Sequence, residues 1–323
     1  MNYRIAVLGP IPRDHIITHH GEVIQKYGCI THPVAALSKL CSGQSTIFPV
    51  SHIRKIDEAP IRALLNSFDG VDQSYVRSEH DQGAVIRLQF IDQNKRIERQ
   101  LAFMAPILPE DVANLTDCDA FVFVPITDHE VSLDTLRYLK ENSDGLIIFD
   151  AHGPTATMAR NGTRHLKFWV DRDQWLPYID ILKMNLEESA CCWYKNEYSK
   201  EELTEELHPD TSHLPELAAH CLAQGLKALI VTTDETGCLT YFMKDGKMQE
   251  EFVPSIRVNH VVDTTGCGDS FAGGLAFGWL KNEDYISAAQ FANAVGAQRT
   301  QGKTFEVFQH LEETERMIRD GFL

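Results

Sequence analysis

The stretch VVDTTGCGDSFAGGLAFGWL, residues 261–280, is the most informative part of this sequence. Gly266 and Gly268 flank Cys267, and an acidic residue then precedes an apolar run that is broken by small residues. Glycine lets the backbone approach a ligand closely, and the free N–H groups of a helix's first turn form an anion site. The pattern therefore predicts a phosphate-binding turn followed by a buried helix.

The acidic residue of that turn is Asp269. A carboxylate is unexpected beside a phosphate site, because it repels a bound phosphate. General base chemistry supplies a reason for its presence: the carboxylate takes a proton from a hydroxyl while the amides hold the phosphoryl group in transfer. The alternative is a helix that is capped by Asp after a glycine-rich turn, which is a common arrangement. The spacing alone leaves both interpretations open.

The composition excludes several classes of function. With 323 residues, 43% of them hydrophobic, the chain can bury a sizeable core. No apolar stretch approaches the roughly 20 residues of a membrane span, and residues 1–9 look like a strand start rather than a signal peptide. The eight scattered cysteines predict reduced thiols in the cytoplasm and no zinc site. The net charge of −16 argues against nucleic acid as a partner.

Strand-like and helix-like segments alternate along the chain. This alternation favours one α/β domain over residues 1–323, with a mostly parallel sheet that is covered by helices on both faces. The predicted strands are 4–8, 45–50, 84–91, 96–101, 120–126, 146–150, 179–184 and 228–232, and the predicted helices are 31–40, 60–68, 133–141, 213–224 and 271–280.

The segment 84–103 does not follow the alternation, because a turn at residues 92–95 joins its two strands into a hairpin. Together with residues 14–28, this hairpin is expected to form a small β-sheet lid over the site. A lid would exclude water, so that phosphate is not lost to hydrolysis. The alternative is an ordinary surface hairpin.

The motif DTTGCGDSFAGG, residues 263–274, resembles the C-terminal signature DTxGAGD of the PfkB (ribokinase-like) sugar and nucleoside kinases. The resemblance implies that Asp269 is the catalytic base and that the amides of Gly266, Cys267 and Gly268 form the anion hole. Cys267 stands where the family usually has Ala, and only its backbone N–H is needed there. The implied fold is α/β and ribokinase-like, with the lid described above.

Two segments near the N-terminus resemble the acceptor side of that family. Asp14 follows the first strand, where the family has an Asp that accepts hydrogen bonds from substrate hydroxyls; an Asp in a loop turn is the alternative. The sequence YGCITHPVAAL falls where the family has GGxxxNxA. Gly28 matches the second glycine, Tyr27 replaces the first, and His32 replaces the Asn. His32 is expected to donate to a substrate hydroxyl or, alternatively, to cap or pack against a helix.

Two further segments resemble the nucleotide side. Asn185 and Glu188 match the NxxE motif, which implies that Glu188 organises Mg²⁺ through water; a helix-capping box is the alternative, and both can hold at once. The sequence VTTDETGCL resembles the nucleotide loop VTxGxxG, in which Thr232 and Gly237 match and an aspartate replaces a glycine.

The remaining predicted site residues are Thr264 and Asn293 on the nucleotide side, and Asp263 and Thr265 at a monovalent-cation (K⁺) site. These assignments are implied by the resemblance. For Asn293 the alternative is a packed, Ala-rich helix.

The sequence thus predicts an ATP- and Mg²⁺-dependent kinase that phosphorylates a hydroxyl of a sugar or sugar-like small molecule, with a homodimer implied by the resemblance alone. A nucleoside kinase is the first alternative, and a ligand-binding relative without turnover is the second. A dinucleotide-dependent oxidoreductase is disfavoured, because GPIPRD stands after the first strand where GxGxxG would be needed.

Overall fold

The structure is a computed structural model that describes residues 2–91, 96–193 and 210–321, and every structural statement below refers to these ranges. Its strands are β1 (Arg4–Leu8), β2 (Arg13–Ile17), β3 (Val23–Tyr27), β4 (Thr46–His52), β5 (Val76–Arg77), β6 (Val85–Phe90), β7 (Arg96–Ala102), β8 (Ala120–Phe123), β9 (Leu146–Asp150), β10 (Ala156–Met158), β11 (Arg164–Leu166), β12 (Ile181–Asn185), β13 (Ala228–Thr232), β14 (Gly237–Lys244) and β15 (Lys247–Pro254). Its α-helices are α1 (Thr31–Cys41), α2 (Lys55–Leu65), α3 (Pro109–Val112), α4 (Leu133–Asn142), α5 (Arg172–Trp175), α6 (Leu186–Cys192), α7 (Leu214–Ala223), α8 (Cys267–Asn282), α9 (Tyr285–Arg299) and α10 (Leu311–Gly321).

A nine-stranded sheet runs through the centre of the described chain in the order β15-β14-β13-β12-β9-β8-β1-β4-β5. Strands β14 and β15 are antiparallel to their neighbours, and the other pairs are parallel. Alternate residues of β1 enter different cores: Ile5 and Val7 pack with apolar side chains of α1, α8 and α9, whereas Ala6 and Leu8 pack with those of α4 and α7. The prediction of a mostly parallel sheet with helices on both faces is therefore confirmed.

A second, four-stranded sheet has the order β3-β2-β6-β7 and comes from the two segments that were predicted to form a lid. Each segment is an antiparallel hairpin, and β2 pairs with β6 in parallel. The small β-sheet is therefore confirmed, while the predicted turn at residues 92–95 lies outside the described residues. The hairpin β10–β11 lies beside it, since the Gln100 amide donates to the Gly162 carbonyl at 2.9 Å.

The predicted bounds of β1, β9 and β13 are confirmed, and most other predicted elements differ by one or two residues at one or both ends. The larger errors are at α2, β8 and α8, and α8 begins at Cys267 rather than at residue 271. Helix α2 begins at Lys55 rather than Pro60, because the chain is extended at Arg54 and two acidic residues then occupy the first turn. Strand β8 ends at Phe123 rather than at residue 126, and the amides of Ile126 and Thr127 donate to Oε2 of Glu130 instead of to a neighbouring strand. The hairpin β14–β15 was not predicted. None of the described helices is both long and apolar enough to cross a membrane.

Small residues determine how α8 packs. A Cβ atom on Gly273 would lie 2.9 Å from the Cα atom of Pro33 in α1, and one on Gly278 would lie 2.7 Å from the Cα atom of Ala288 in α9. Both distances are shorter than carbon atoms tolerate, so only glycine permits these helices to approach so closely. This close packing fixes the N-terminus of α8, where the predicted catalytic turn lies.

Candidate active site

The predicted catalytic turn leads directly into α8, with Gly266 as the residue before the helix. Gly266 has a φ of 82°, in the left-handed region that favours glycine. In addition, a Cβ atom there would lie 2.4 Å from the Nε2 atom of His32. Two independent constraints therefore require glycine at this position.

Two of the three predicted anion-hole amides are unpaired. The Cys267 amide donates to the Thr264 carbonyl at 3.3 Å, a long bond that closes the turn. Within the described ranges, the amides of Gly266 and Gly268 have no hydrogen-bond acceptor in the protein. A helix N-terminus with such free donors is suited to an anion.

Asp269 lies in the first turn of α8 and is partly exposed. Removal from water by the surrounding protein, followed by the nearby Asp150 carboxylate, raises the pKa of Asp269 to about 6. The positive charges of Lys183, His152 and Arg299 act in the opposite direction. A pKa just below neutrality suits a general base, which must be ionised at rest yet able to hold a proton.

A buried ion pair that the sequence analysis did not identify lies beside this base, next to the predicted Glu188. The Lys183 ammonium donates to Oδ2 of Asp150 at 2.8 Å, and both side chains are buried. Nδ1 of His152 lies 2.9 Å from Oε1 of Glu188. Burial opposes the ionisation of Glu188, but hydrogen bonding to His152 and the charges of His152 and Lys183 hold its pKa at about 2.

Asn185 and Glu188 form the capping box that the sequence analysis gave as the alternative. Oδ1 of Asn185 accepts from the Glu188 amide at 2.7 Å, and Oε2 of Glu188 accepts from the Asn185 amide at 2.8 Å. The described residues contain no group of three or more His, Cys, Asp or Glu side chains that could hold a metal ion. This donor set fits Mg²⁺ only if water and phosphate oxygens supply most of the ligands.

Asp263 joins the lid to the catalytic turn. Its Oδ2 atom accepts from Arg299 of α9 at 2.9 Å and from Lys26 of β3 at 3.2 Å, and its Oδ1 atom accepts from the Thr265 amide at 2.9 Å. Burial opposes its ionisation, but Lys26, the Thr265 amide and Arg299 lower its pKa to about 2. The carboxylate that was predicted to bind K⁺ thus already faces two fixed cations. Thr264 is exposed beside it.

The acceptor-side predictions divide into two groups. Asp14 and Gly28 lie together, since a Cβ atom on Gly28 would be only 2.5 Å from Oδ2 of the buried Asp14. His32 lies elsewhere, beneath Gly266, where its Nδ1 atom accepts from Arg299 Nε at 3.2 Å. Burial lowers the pKa of His32 well below its usual value, so this histidine is neutral. It therefore occupies the packed position that the sequence analysis gave as one alternative.

Tyr27 replaces a glycine of the family pattern and has its own partner. Its hydroxyl donates to Oδ1 of Asp57 at 3.0 Å, and burial followed by the Asp57 charge raises the pKa of Tyr27 to about 12. Arg54 pairs with the other carboxylate oxygen of Asp57 at 2.7 Å. The tyrosine is thus held against α2.

The predicted nucleotide-side residues lie along β13, β14 and α9. Thr232 ends β13 and Gly237 begins β14. Asp234, between them, is exposed and has a φ of 51°, which explains why glycine suits this position. The side-chain amide of Asn293 donates to the carbonyls of Val253 and Pro254, both at 3.1 Å, and so ties α9 to β15.

Comparisons with known proteins concern the family and the fold of this chain. The family profile described as pfkB family carbohydrate kinase matches residues 119–304. Fructokinase-2 of Oryza sativa subsp. japonica is 48% identical over 80 residues, which are 23% of this chain and 22% of that protein. The matched segment is therefore less than a quarter of the curated relative.

Two solved structures share the fold over nearly the whole chain. Arabidopsis thaliana ribokinase complexed with ribose and ATP has a TM-score of 0.72 at 16% identity, over 99% of each chain. A pyrophosphate-dependent kinase in the ribokinase family has a TM-score of 0.70 at 19% identity, over 94% of this chain and 98% of the other. The ribokinase-like fold that was predicted from the sequence is thus confirmed.

Proposed function

Because this chain belongs to the pfkB family of carbohydrate kinases, we propose that it transfers a phosphoryl group from ATP to a hydroxyl of a sugar or sugar-like small molecule. One observation carries the proposal: Asp269, with its pKa near 6, lies in the same helical turn as two unpaired amides. Such a turn can hold a transferred phosphoryl group while the carboxylate receives a proton.

In the proposed step, the Asp269 carboxylate takes the proton of the acceptor hydroxyl, and the hydroxyl oxygen forms a bond to the γ-phosphorus. The bond from that phosphorus to the bridging oxygen breaks, and ADP leaves with the electron pair. The amides of Gly266 and Gly268 donate to the phosphoryl oxygens, where negative charge is concentrated. Glu188 is the residue that would hold Mg²⁺ through water, and this ion supplies positive charge to the donor phosphates.

The acceptor would lie between the lid and the catalytic turn. Asp14 is buried beside Gly28, and its carboxylate can accept hydrogen bonds from two neighbouring hydroxyls. Both sugars and nucleosides carry such hydroxyls, so either class could be the acceptor. A monovalent cation at Asp263 and Thr265 belongs to the same proposal, and it would share the Asp263 carboxylate with Arg299 and Lys26.

The test is to measure phosphorylated product and ADP over a panel of pentoses, hexoses, their phosphates and nucleosides. Each acceptor is tried with ATP and, because one structural neighbour is pyrophosphate-dependent, with pyrophosphate. We expect ATP-dependent transfer that Asp269→Asn lowers at least ~10²-fold. The matched control is Asp245→Asn, an exposed aspartate of the β14–β15 turn, which should leave turnover unchanged.

Three outcomes would contradict the proposal in different ways. Transfer that survives Asp269→Asn would remove the proposed base. Transfer from pyrophosphate but not from ATP would show that ATP is not the phosphoryl donor. Ligand binding without transfer from either donor would indicate the non-catalytic relative.

A further inference from the structure

A buried ion pair lies against the catalytic turn and is not explained by the fold. Lys183 and Asp150 are cross-strand neighbours in β12 and β9, near the carboxyl ends of these parallel strands. Their side chains are only 5% and 2% exposed. Removing two charges from water costs more than their mutual attraction usually returns, so an apolar pair would serve stability equally well. The pair therefore calls for a functional reason.

The Lys183 ammonium points at the anion-hole loop. A Cβ atom built on Gly268 would lie 3.1 Å from Nζ of Lys183, so this nitrogen is in contact range of the loop. An ammonium has three N–H donors, and among the described residues its one hydrogen-bond acceptor is Asp150. The remaining N–H donors of Lys183 therefore lie close to the unpaired Gly268 amide, at the N-terminus of α8.

We propose that Lys183 is a further catalytic residue, whose ammonium contacts the phosphoryl group during transfer while Asp150 holds it in place. This inference rests on the proposed function. The ammonium would add a full positive charge to the two amides at the position where negative charge is concentrated. Asp150 acts through Lys183 and is a positioning residue.

The charges around Lys183 keep it able to act in this way. Burial opposes the charged form of Lys183, but the carboxylates of Asp150 and Glu188 raise its pKa above the usual value, so the ammonium persists. The groups that face Asp269 from neighbouring elements are Asp150, Lys183, His152, Arg299 and the Cys29 thiol, and the Cys267 thiol lies near it on the same helix. Of these charges, Lys183 lowers the pKa of Asp269 and Asp150 raises it.

The test compares Lys183→Met with Lys227→Met, using the acceptor that the panel identifies. Lys227 is the control: it also pairs with a buried aspartate, Asp180, at 2.9 Å, but it is exposed and precedes β13, at the amino ends of the parallel strands. We expect Lys183→Met to lower kcat about 10²-fold and to move the acid limb of the pH–rate profile upward. Lys227→Met should leave kcat and the acid limb unchanged.

A second variant covers the case in which Lys183→Met does not fold. Asp150→Asn keeps the ammonium and removes the carboxylate, so it should lower kcat less than Lys183→Met and move the acid limb downward. A purely structural role would not predict this downward shift, and where both variants fold it would not move the limb in opposite directions.

A binding measurement separates this inference from the proposed function. Titration with pyrophosphate or Mg²⁺–ATP, without acceptor, should give at least about tenfold weaker binding to Lys183→Met than to wild type or Lys227→Met. If no acceptor is turned over, the proposed function fails and this titration still tests Lys183. Unchanged donor affinity in Lys183→Met, or in the folded Asp150→Asn protein an unmoved acid limb and wild-type kcat, would overturn the inference.

Discussion

The catalytic turn, residues 263–269, and the acceptor segment, residues 27–32, differ in how they depart from the family pattern. The turn has one replacement, Cys267, at a position where the family pattern needs only a backbone amide. The acceptor segment has two, and each new side chain has a partner outside the segment: Tyr27 bonds to Asp57, and His32 accepts from Arg299. Backbone donors tolerate side-chain change, whereas recognition by side chains does not. We therefore expect the donor chemistry to be kept and the acceptor specificity to have diverged.

Gly266→Ala, in the catalytic turn, should have the largest effect. The added methyl group would meet His32 and would require a left-handed backbone, so we expect kcat to fall at least ~10²-fold. Gly246→Ala is the matched control, since Gly246 has a φ of 73° with no atom within 4 Å of the built Cβ. It should lose about 1 kcal/mol of unfolding free energy and keep its kcat. Wild-type kcat in Gly266→Ala would show that the turn does not hold the phosphoryl group.

The pH dependence should follow the catalytic turn rather than the acceptor segment. Because the pKa of Asp269 is about 6, the base is mostly ionised at pH 7 and becomes protonated as the pH falls through 6. We expect kcat/KM to fall about tenfold per pH unit below that value. Burial lowers the pKa of His32 well below its usual value and Arg299 donates to its Nδ1 atom, so we expect His32 to add no second step to the pH–rate profile. A profile that stays flat to pH 5 would contradict the assignment of Asp269.

Gly28→Ala tests the acceptor side. The added methyl group would displace the Asp14 carboxylate, so we expect the acceptor KM to rise about tenfold while the KM for ATP stays unchanged. Gly21→Ala, in the β2–β3 turn of the lid, is the control, because its Cβ would have no atom within 4 Å. Equal effects on both substrates would show that Asp14 does not orient the acceptor.

Tyr27→Phe should have the smallest effect. It removes one hydrogen bond to Asp57, which keeps Arg54 as its partner, so we expect a loss of about 1 kcal/mol in the free energy of unfolding. Urea denaturation measures this loss, and steady-state kinetics should show both KM values unchanged. A large rise in the acceptor KM would mean that the tyrosine contacts substrate directly.

The sequence predicted the sheet well because its buried strands are apolar runs with clear ends. The run RIAVL stops at Gly9, and LIIFD stops at a charged residue, so the bounds of β1 and β9 follow from hydrophobicity alone. The predicted start of α2 is wrong because proline favours the first turn of a helix, whereas Pro60 lies inside a helix that begins at Lys55.

The site was only partly predictable. The turn before α8 has a motif, but the Lys183–Asp150 pair depends on which strands lie side by side, and a single sequence does not state that order. The sequence does contain one indication of the pair, which is the lysine within the buried segment ILKMN. A buried ammonium needs a nearby carboxylate, so this lysine predicts an acidic partner. The position of His32 under Gly266 likewise depends on the packing of α1 against α8.

The most direct test is a crystal structure of the protein with ADP, Mg²⁺ and aluminium fluoride, which mimics a phosphoryl group in transfer. We predict that the fluoride ligands accept hydrogen bonds from the Gly266 and Gly268 amides and that the Asp269 carboxylate faces the side opposite ADP. A mimic bound away from the N-terminus of α8, or an Asp269 side chain directed away from it, would contradict the account.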